Sequence, residues 1–260
     1  MKNVIVIKIG GSTFDSRDTT VADVVALQKQ GKSLVIVHGG GNVVTDWLKR
    51  LGISTRFVRG ERVTDAATLE VVTAVLAGLV NKEIVAAINC LGGQAVGISG
   101  VDGALIQGKI KDKELGYVGE VAQVNAVLLE ALLASGFMPV ISPLGLHSVG
   151  RTEGAPQIIN LNGDPVAGDI AAALGAERIV FLTDMAGVCD QSGKVISRLS
   201  AGEARALIGS GVASGGMIPK INACLRALTG ASIARIIDGR QPRALIKELE
   251  GQAGGTTIYK

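Results

Sequence analysis

"LVIVHGGGNVVTDWLKRL", residues 34–51, is the stretch on which the reading of this chain turns. An apolar, largely β-branched run ends at His38 and passes straight into Gly39-Gly40-Gly41, after which apolar side chains recur at helical spacing. A short apolar run bounded by glycines predicts a buried strand, and the spacing beyond it predicts a helix over 42–51. Glycines between the carboxyl end of a strand and a helix let a ligand come close to the main chain. The helix then presents unpaired N–H groups and the positive end of its dipole, which suits an anion. In open α/β sheets, ligands bind at that edge.

The chain opens on a second copy of the pattern, "VIVIKIGGS" at 4–12, in which Lys8 interrupts the apolar run two residues before Gly10-Gly11. Burying an ammonium is costly unless something anionic meets it. Lys8 therefore either reaches solvent as an ordinary surface lysine or is delivered by the strand end to an anion. A third glycine turn, "SGGMIPK" at 214–220, carries a second such lysine. Pro219 suits the first position of a helix, which places Lys220 in the first turn, where a cation is unwelcome unless an anion is bound there as well.

Further apolar runs at 95–98, 139–141, 179–183 and 234–237 read as strands. Helical patterns fall at 20–30, 121–134, 165–174, 201–209, 219–229 and 241–249. A long one spans 65–91, with apolar residues at 69, 72, 76, 79, 80, 84 and 88. Strands alternating with helices predict an α/β fold, a three-layer αβα sandwich with a mainly parallel central sheet. Stretches 105–119 and 145–160 read as inserted hairpins. "LGAERIVFLTD" at 174–184 restarts the strand–turn–helix rhythm, so an N-terminal lobe 1–175 and a C-terminal lobe 176–260 are expected within one domain. "ALQKQGKS" at 26–33 ends like a phosphate loop, but it precedes a strand instead of following one and reads as a helix-to-strand connection.

Composition excludes several classes. With 47% apolar and 19% charged residues the chain is globular, and a net charge of +3 with 3% aromatics carries no nucleic-acid signature. Cys90, Cys189 and Cys224 form no CxxC pair, and His38 and His147 are the only imidazoles, so neither a disulfide framework nor a histidine metal cluster is expected. The start lacks a cleavage site, and the longest apolar stretches are broken by Glu130 and by Glu177-Arg178, which predicts a cytoplasmic protein without a membrane span. "NLNGDPVAGDIAAALGA" at 160–176 alternates Asn160, Asn162 and Asp164, so an extended segment there shares one face among them. Asp164 before Pro165 is either a helix N-cap alone or the anion that holds both lysines.

The order of these turns resembles the amino-acid kinase family, and the resemblance runs nearly end to end. It is carried by KIGG, VHGGG, "GERVTD" at 60–65, "VLAGLVNKEIV" at 75–85, "ELGYVGEV" at 114–121, NLNGD, "FLTDMAGV" at 181–188, GGMIPK and "GGTTI" at 254–258. Within the family, RVT, ELGYVGEV and the Asn160/Asn162 pair resemble the members that phosphorylate the side-chain carboxylate of N-acetyl-L-glutamate, a step of arginine biosynthesis. Gly163-Asp164-Pro165 departs from the more usual alanine-aspartate-threonine and is also similar to kinases of carrier-bound aminoadipate.

The resemblance implies that Lys8 and Lys220 flank the transferred phosphoryl group, that Asp164 organises them, and that Gly11 and Gly40 supply N–H groups. It implies that Gly40, Gly41, Arg62, Asn160 and Asn162 bind the acid, with Arg62 gripping a carboxylate in a bidentate pair. Gly10, Thr183, Asp184, Gly187, Val188, Val212, Ser214 and Gly216 would line the nucleotide site. Mg²⁺ would be held by ATP and water, and a chain without a helix ahead of its first strand would form an arginine-insensitive homodimer. A carboxylate acceptor is already ionised, so none of these roles calls for a base. A non-catalytic nucleotide or amino-acid sensor, by contrast, needs affinity but no lysine–aspartate–lysine set.

Overall fold

The structure, a computed structural model, describes residues 3–10 and 19–260. The opening apolar run is β1 (Val4–Ile9), which pairs in parallel with β2 (Ser33–His38) on one side and β11 (Arg178–Thr183) on the other. Outside β2 lie β8 (Met138–Ser142) and β5 (Ala95–Ser99). Outside β11 lie β13 (Ile233–Asp238), β14 (Thr256–Tyr259) and β12 (Arg198–Ser200). Every pairing in this eight-stranded sheet is parallel except that of β13 with β14.

The pleat divides β1 between two cores. Val4 and Val6 face a layer with Val166, Ile170, Phe181 and Ile221, while Ile5, Ile7 and Ile9 face one with Val24, Leu48, Val72 and Ile84. Both faces are covered, so the strands read as unbroken apolar runs and not as alternating ones. One covering layer is built from α5 (Val127–Ala134), α6 (Gly163–Ala173), α7 (Ala201–Gly209) and α8 (Met217–Ala227). The other is built from α1 (Thr20–Lys29), α2 (Gly41–Arg50), α3 (Ala66–Thr73), α4 (Asn81–Cys90) and α9 (Ala244–Leu249).

The two expected hairpins are present and join into one small sheet, in the order β10 (Ile158–Asn160), β9 (Leu144–His147), β6 (Ile106–Ile110) and β7 (Gly119–Val124). A further short hairpin pairs β3 (Phe57–Val58) with β4 (Glu61–Arg62).

Four expectations need correction. The pattern at 121–134 is not one helix: residues 119–124 form β7, whose N–H and C=O groups are claimed by β6, and α5 begins only at Val127. The helix expected at 219–229 begins at Met217 behind Gly216, which puts Pro219 third and Lys220 fourth. The last helix begins at Ala244, later than 241. The 65–91 helix is continuous but carries a π segment, Ala74–Val80, between α3 and α4. Taken as one helix, Ala66–Cys90 is long and apolar enough to cross a membrane by length and composition alone, which the broken apolar stretches did not suggest. In the fold, Leu69, Val72, Leu76, Ile84 and Ile88 of this helix are buried.

The seam between α6 and α8 positions the two functional helices. A Cβ on Gly168 would stand 2.5 Å from the Ala223 carbonyl oxygen, so the glycine lets the backbones touch. Gly168 follows Asp164 by four residues and Ala223 follows Lys220 by three, so the close approach and the Asp164–Lys220 pair are successive rungs of one seam. Replacing Gly168 by alanine should cost about 1–3 kcal/mol in urea unfolding and lower turnover together with stability. Unchanged unfolding midpoint and turnover in this variant would show that the seam has slack.

Candidate active site

The carboxyl ends of β1, β2 and β11 carry the first two glycine turns and Thr183 to one edge of the sheet. Glycine 40 has φ +144°, and a Cβ there would lie 2.8 Å from Leu76 of the π segment, so no other residue fits this turn under that helix. Gly10 and Gly39 spend their N–H groups on the carbonyls of Leu182 and Ile9, extending the sheet by one rung. Among the described residues, the N–H groups of Gly40 and Gly41, at the start of α2, have no main-chain acceptor. Gly11 lies outside the described residues.

Lys8 does not reach out to solvent. It is 8% exposed, and its Nζ lies 2.6 Å from Asp164 Oδ1. From the far side of the molecule's sequence, Lys220 Nζ approaches the other oxygen, Oδ2, at 3.3 Å. The Lys8 contact is a close ion pair that is not aligned as a hydrogen bond, whereas Lys220 donates to Oδ2. Burial pushes the Asp164 carboxyl up, but the two ammonium groups outweigh it and hold the group below the ordinary carboxylate value. Asp164 is thus the ionised bridge of a lysine–aspartate–lysine set.

Asp164 is free for that role because it is not the helix cap. Asn162 caps α6, its Oδ1 accepting from the Asp164 N–H at 3.0 Å, and Asp164 sits one turn-position inside. The cap reading of Asp164 is therefore replaced by Asn162, which leaves the Asn162 amide nitrogen as a donor.

A cavity of about 280 Å³ opens beside this set, lined by Lys8, Gly40, Gly41, Arg62, Asn160 and Asn162 among others. Arg62 Nη2 donates to the Gly41 carbonyl at 2.9 Å and to Thr45 Oγ1 at 2.7 Å, and its guanidinium stacks over Phe57 at 4.8 Å. Its Nη1 is buried and has no hydrogen-bond partner among the described residues, an unmet donor of the kind a carboxylate satisfies. Burial pulls the Arg62 pKa down from its ordinary value. Asn160, which lines the cavity, donates from Nδ2 to Thr64 Oγ1 at 3.1 Å, which leaves its Oδ1 as an acceptor. The acid-binding residues read from the sequence thus stand together with Lys8.

The residues expected around a nucleotide are less concentrated. Thr183 is buried and its hydroxyl donates to Asp184 Oδ1, while the Val188 N–H donates to Thr256 Oγ1 and locks the 184–188 turn to β14. Gly187 has φ +151° with Thr256 Oγ1 2.8 Å from where a Cβ would be. Val212 is half-buried, and Ser214 and Gly216 are exposed at the start of α8. A larger cavity, about 460 Å³, lies beside Ala186, Asp238 and Lys247; Ala186 belongs to the 183–188 segment expected at the nucleotide.

His38 and Asn81, which sequence reasoning left without a role, are both fully buried and in contact. The signal was present in the letters: an imidazole directly before the glycines, and an asparagine inside an otherwise apolar helix.

The resemblance implies a divalent ion held with ATP, so the donor set bears on where one would bind. Among the described residues no group of three or more His, Cys, Asp or Glu is placed to hold a metal, and the Asp164 carboxylate is committed to two lysines. These residues do not fit a resident metal site.

A model of the amino acid kinase family matches residues 3–238. The chain is 52% identical over 256 residues to the acetylglutamate kinase of Dehalococcoides mccartyi strain CBDB1, covering 98% of this chain and 94% of that one. Among solved structures, smu.665 from Streptococcus mutans UA159 superposes with a TM-score of 0.82 at 26% identity, over 100% of this chain and 99% of that one. The N-acetylglutamate synthase from Neisseria gonorrhoeae, complexed with coenzyme A and N-acetyl-glutamate, superposes with a TM-score of 0.84 at 26% identity, over 99% of this chain and 59% of that one.

The buried titratable groups set two acid windows. Burial lowers the His38 pKa from 6.5 to about 4, aided by Lys8 and Lys82 and opposed by its bond to Gly39. The stability from neutral His38 is complete above pH 6.5 and is lost as pH falls toward 4. That from Asp164 is complete above its ordinary value of 3.8 and is lost only below it. Unfolding free energy measured against pH should therefore fall in two stages. A flat profile between pH 6.5 and 4 would mean that His38 titrates freely.

Proposed function

Because the chain belongs to the amino acid kinase family, we propose that it transfers the γ-phosphoryl group of ATP to the side-chain carboxylate of N-acetyl-L-glutamate, the acyl phosphate-forming step of arginine biosynthesis. The observation that carries the assignment of roles is the meeting of Lys8 and Lys220 on Asp164, beside a cavity in which Arg62 Nη1 lacks a partner.

A carboxylate oxygen of the acid attacks the γ-phosphorus while the bond from phosphorus to the bridging oxygen breaks, and ADP leaves with the electron pair. No proton moves, so no base is required, and the protein's task is to hold two anions together and spread the charge of the transferring group. Lys8, on the acid side of Asp164, and Lys220, at the start of α8, flank that group, and Asp164 fixes both ammonium positions without offering a proton. The N–H of Gly40, which has no main-chain acceptor among the described residues, completes the donor set, and the family resemblance adds Gly11 to it.

At the acid's far end, Arg62 Nη1 takes one α-carboxylate oxygen, and Asn160 Oδ1 accepts the acetamido N–H. The Asn162 amide and the Gly41 N–H serve the same ligand. A substrate with a second carboxylate is favoured because a buried guanidinium nitrogen otherwise stays unsatisfied. Gly10, Thr183, Asp184, Gly187, Val188, Val212, Ser214 and Gly216 border the nucleotide, with the acid bound by the lobe 1–175 and ATP by the lobe 176–260. Mg²⁺ bound with ATP would neutralise charge on its phosphates, and among the described residues no cluster of carboxylates is placed to hold it. We place the enzyme in the cytoplasm as a homodimer on the strength of the family resemblance.

Hydroxamate trapping of the acyl phosphate, run with N-acetyl-L-glutamate against free glutamate, aspartate and aminoadipate, tests the substrate. Lys8→Ala and Lys220→Ala should each lower kcat about a hundredfold or more, and Asp164→Asn should impair both ATP binding and turnover. Arg62→Ala should raise KM for the acid by more than tenfold with a smaller change in kcat. Near-normal kcat in both lysine variants would remove them from the chemistry.

A further inference from the structure

The assigned roles leave out the two polar residues packed behind the glycine turn. His38 ends β2 and Asn81 opens α4 directly after the π segment; both are 0% exposed. Asn81 Nδ2 lies 2.9 Å from the Val140 carbonyl and 3.3 Å from that of Ile98, and its Oδ1 receives Lys82 Nζ at 3.0 Å. Carbonyl oxygens only accept and an ammonium only donates, so the amide orientation follows from its neighbours. The two Nδ2 hydrogens are shared among these two carbonyls and His38 Nε2, which lies 3.2 Å away. The tautomer follows from the other ring nitrogen: Nδ1 is 2.7 Å from the Gly39 carbonyl oxygen, which only accepts, so the proton of the neutral ring stands on Nδ1 and Nε2 is bare toward the Asn81 amide.

That carbonyl belongs to the peptide whose nitrogen is Gly40. In a planar trans peptide the C=O and N–H point in opposite directions, so a bond that holds the Gly39 oxygen toward the imidazole turns the Gly40 N–H away from it. Gly40 lines the cavity with Lys8, and its N–H has no main-chain acceptor among the described residues. Glycine has the widest main-chain freedom of any residue, so the aim of this peptide needs an external constraint.

We propose that Lys82, Asn81 and His38 form a hydrogen-bond relay that aims the Gly40 N–H at the transferring phosphoryl group, with His38 a positioning residue held as the Nδ1–H tautomer. The proposal rests on the kinase reading above, in which that N–H meets the reacting centre. The relay runs from an exposed lysine on α4 through the core to the glycine turn, and the π segment supplies its register: Leu76 and Val80 cap Gly40 while the next residue, Asn81, reaches His38. The imidazole does not act as a base. Its proton is spent on a main-chain carbonyl, and burial with the neighbouring Lys8 and Lys82 keeps the ring neutral near pH 7.

Two measurements test this. Long-range ¹H–¹⁵N spectra of the imidazole in the wild-type protein report the tautomer directly and require no substrate; a protonated Nε2 or an imidazolium at pH 7 overturns the relay. In kinetics, His38→Leu keeps bulk but neither nitrogen, and should lower kcat about tenfold to a hundredfold with KM for ATP changed less than twofold. His38→Asn places an amide donor near the Nδ1 position and should recover a substantial part of that loss. Thermal unfolding of both variants separates positioning from folding. Turnover in His38→Leu within threefold of wild type, or equal losses in both variants, sinks the relay. A wild-type protein that forms no acyl phosphate from N-acetyl-L-glutamate sinks the parent reading instead, and the tautomer then still decides whether the relay exists.

Discussion

A carboxylate clasped between two ammonium groups in a nearly dry place is the interaction on which the rest of this molecule is arranged. Asp164 is 4% exposed, and alone its charge would be expensive to bury. With Lys8 on one oxygen and Lys220 on the other, the cluster carries one net positive charge, and the two ammonium groups hold the carboxyl below its ordinary value despite its burial. A buried set with surplus positive charge is only partly satisfied. An anion held between the lysines completes it, which is why a site suited to a phosphoryl group is also a site of incomplete electrostatic compensation. Stability and function draw on the same atoms.

Much of the architecture serves to bring the three residues together. β1 carries Lys8 to the carboxyl edge of the sheet, the cap by Asn162 releases Asp164 from capping duty, and the contact of Gly168 with Ala223 brings α8 close enough for Lys220. On the other side of the cavity, Arg62 is held by Gly41 and Thr45 through Nη2 and by the ring of Phe57, so its guanidinium is fixed while the buried Nη1 has no partner among the described residues. The acid site and the phosphoryl site share the glycine turn 39–41, which the π segment of the 66–90 helix covers.

The main strands were legible because both faces of the sheet are covered: buried parallel strands are written as continuous apolar runs, and all six expected ones are found within a residue or so of their observed ends. Reading was weaker where one pattern serves two structures. Residues 119–124 carry enough apolar side chains to pass for helix, and only pairing with β6 makes them a strand. The start of α8 was placed two residues late because Pro219 was given the first position, which Gly216 and Met217 show to be taken. Helical spacing cannot register a π segment at all, because the insertion leaves the apolar face nearly continuous.

What the letters determined alone was the chemistry on offer: two lysines at positions local rules disfavour, an aspartate before a proline, and glycines at strand ends, which together suit a bound anion. Which group caps α6, where Lys8 turns, which nitrogen of Arg62 is left over and which nitrogen of His38 carries the proton were decided by tertiary packing. Those outcomes depend on neighbours distant in the chain, Lys220 from Asp164 or Asn81 from His38, whose proximity exists only once the sheet and its two helical layers have closed. Residue type sets which bonds a side chain is able to make, and the fold sets which of them remain unmade.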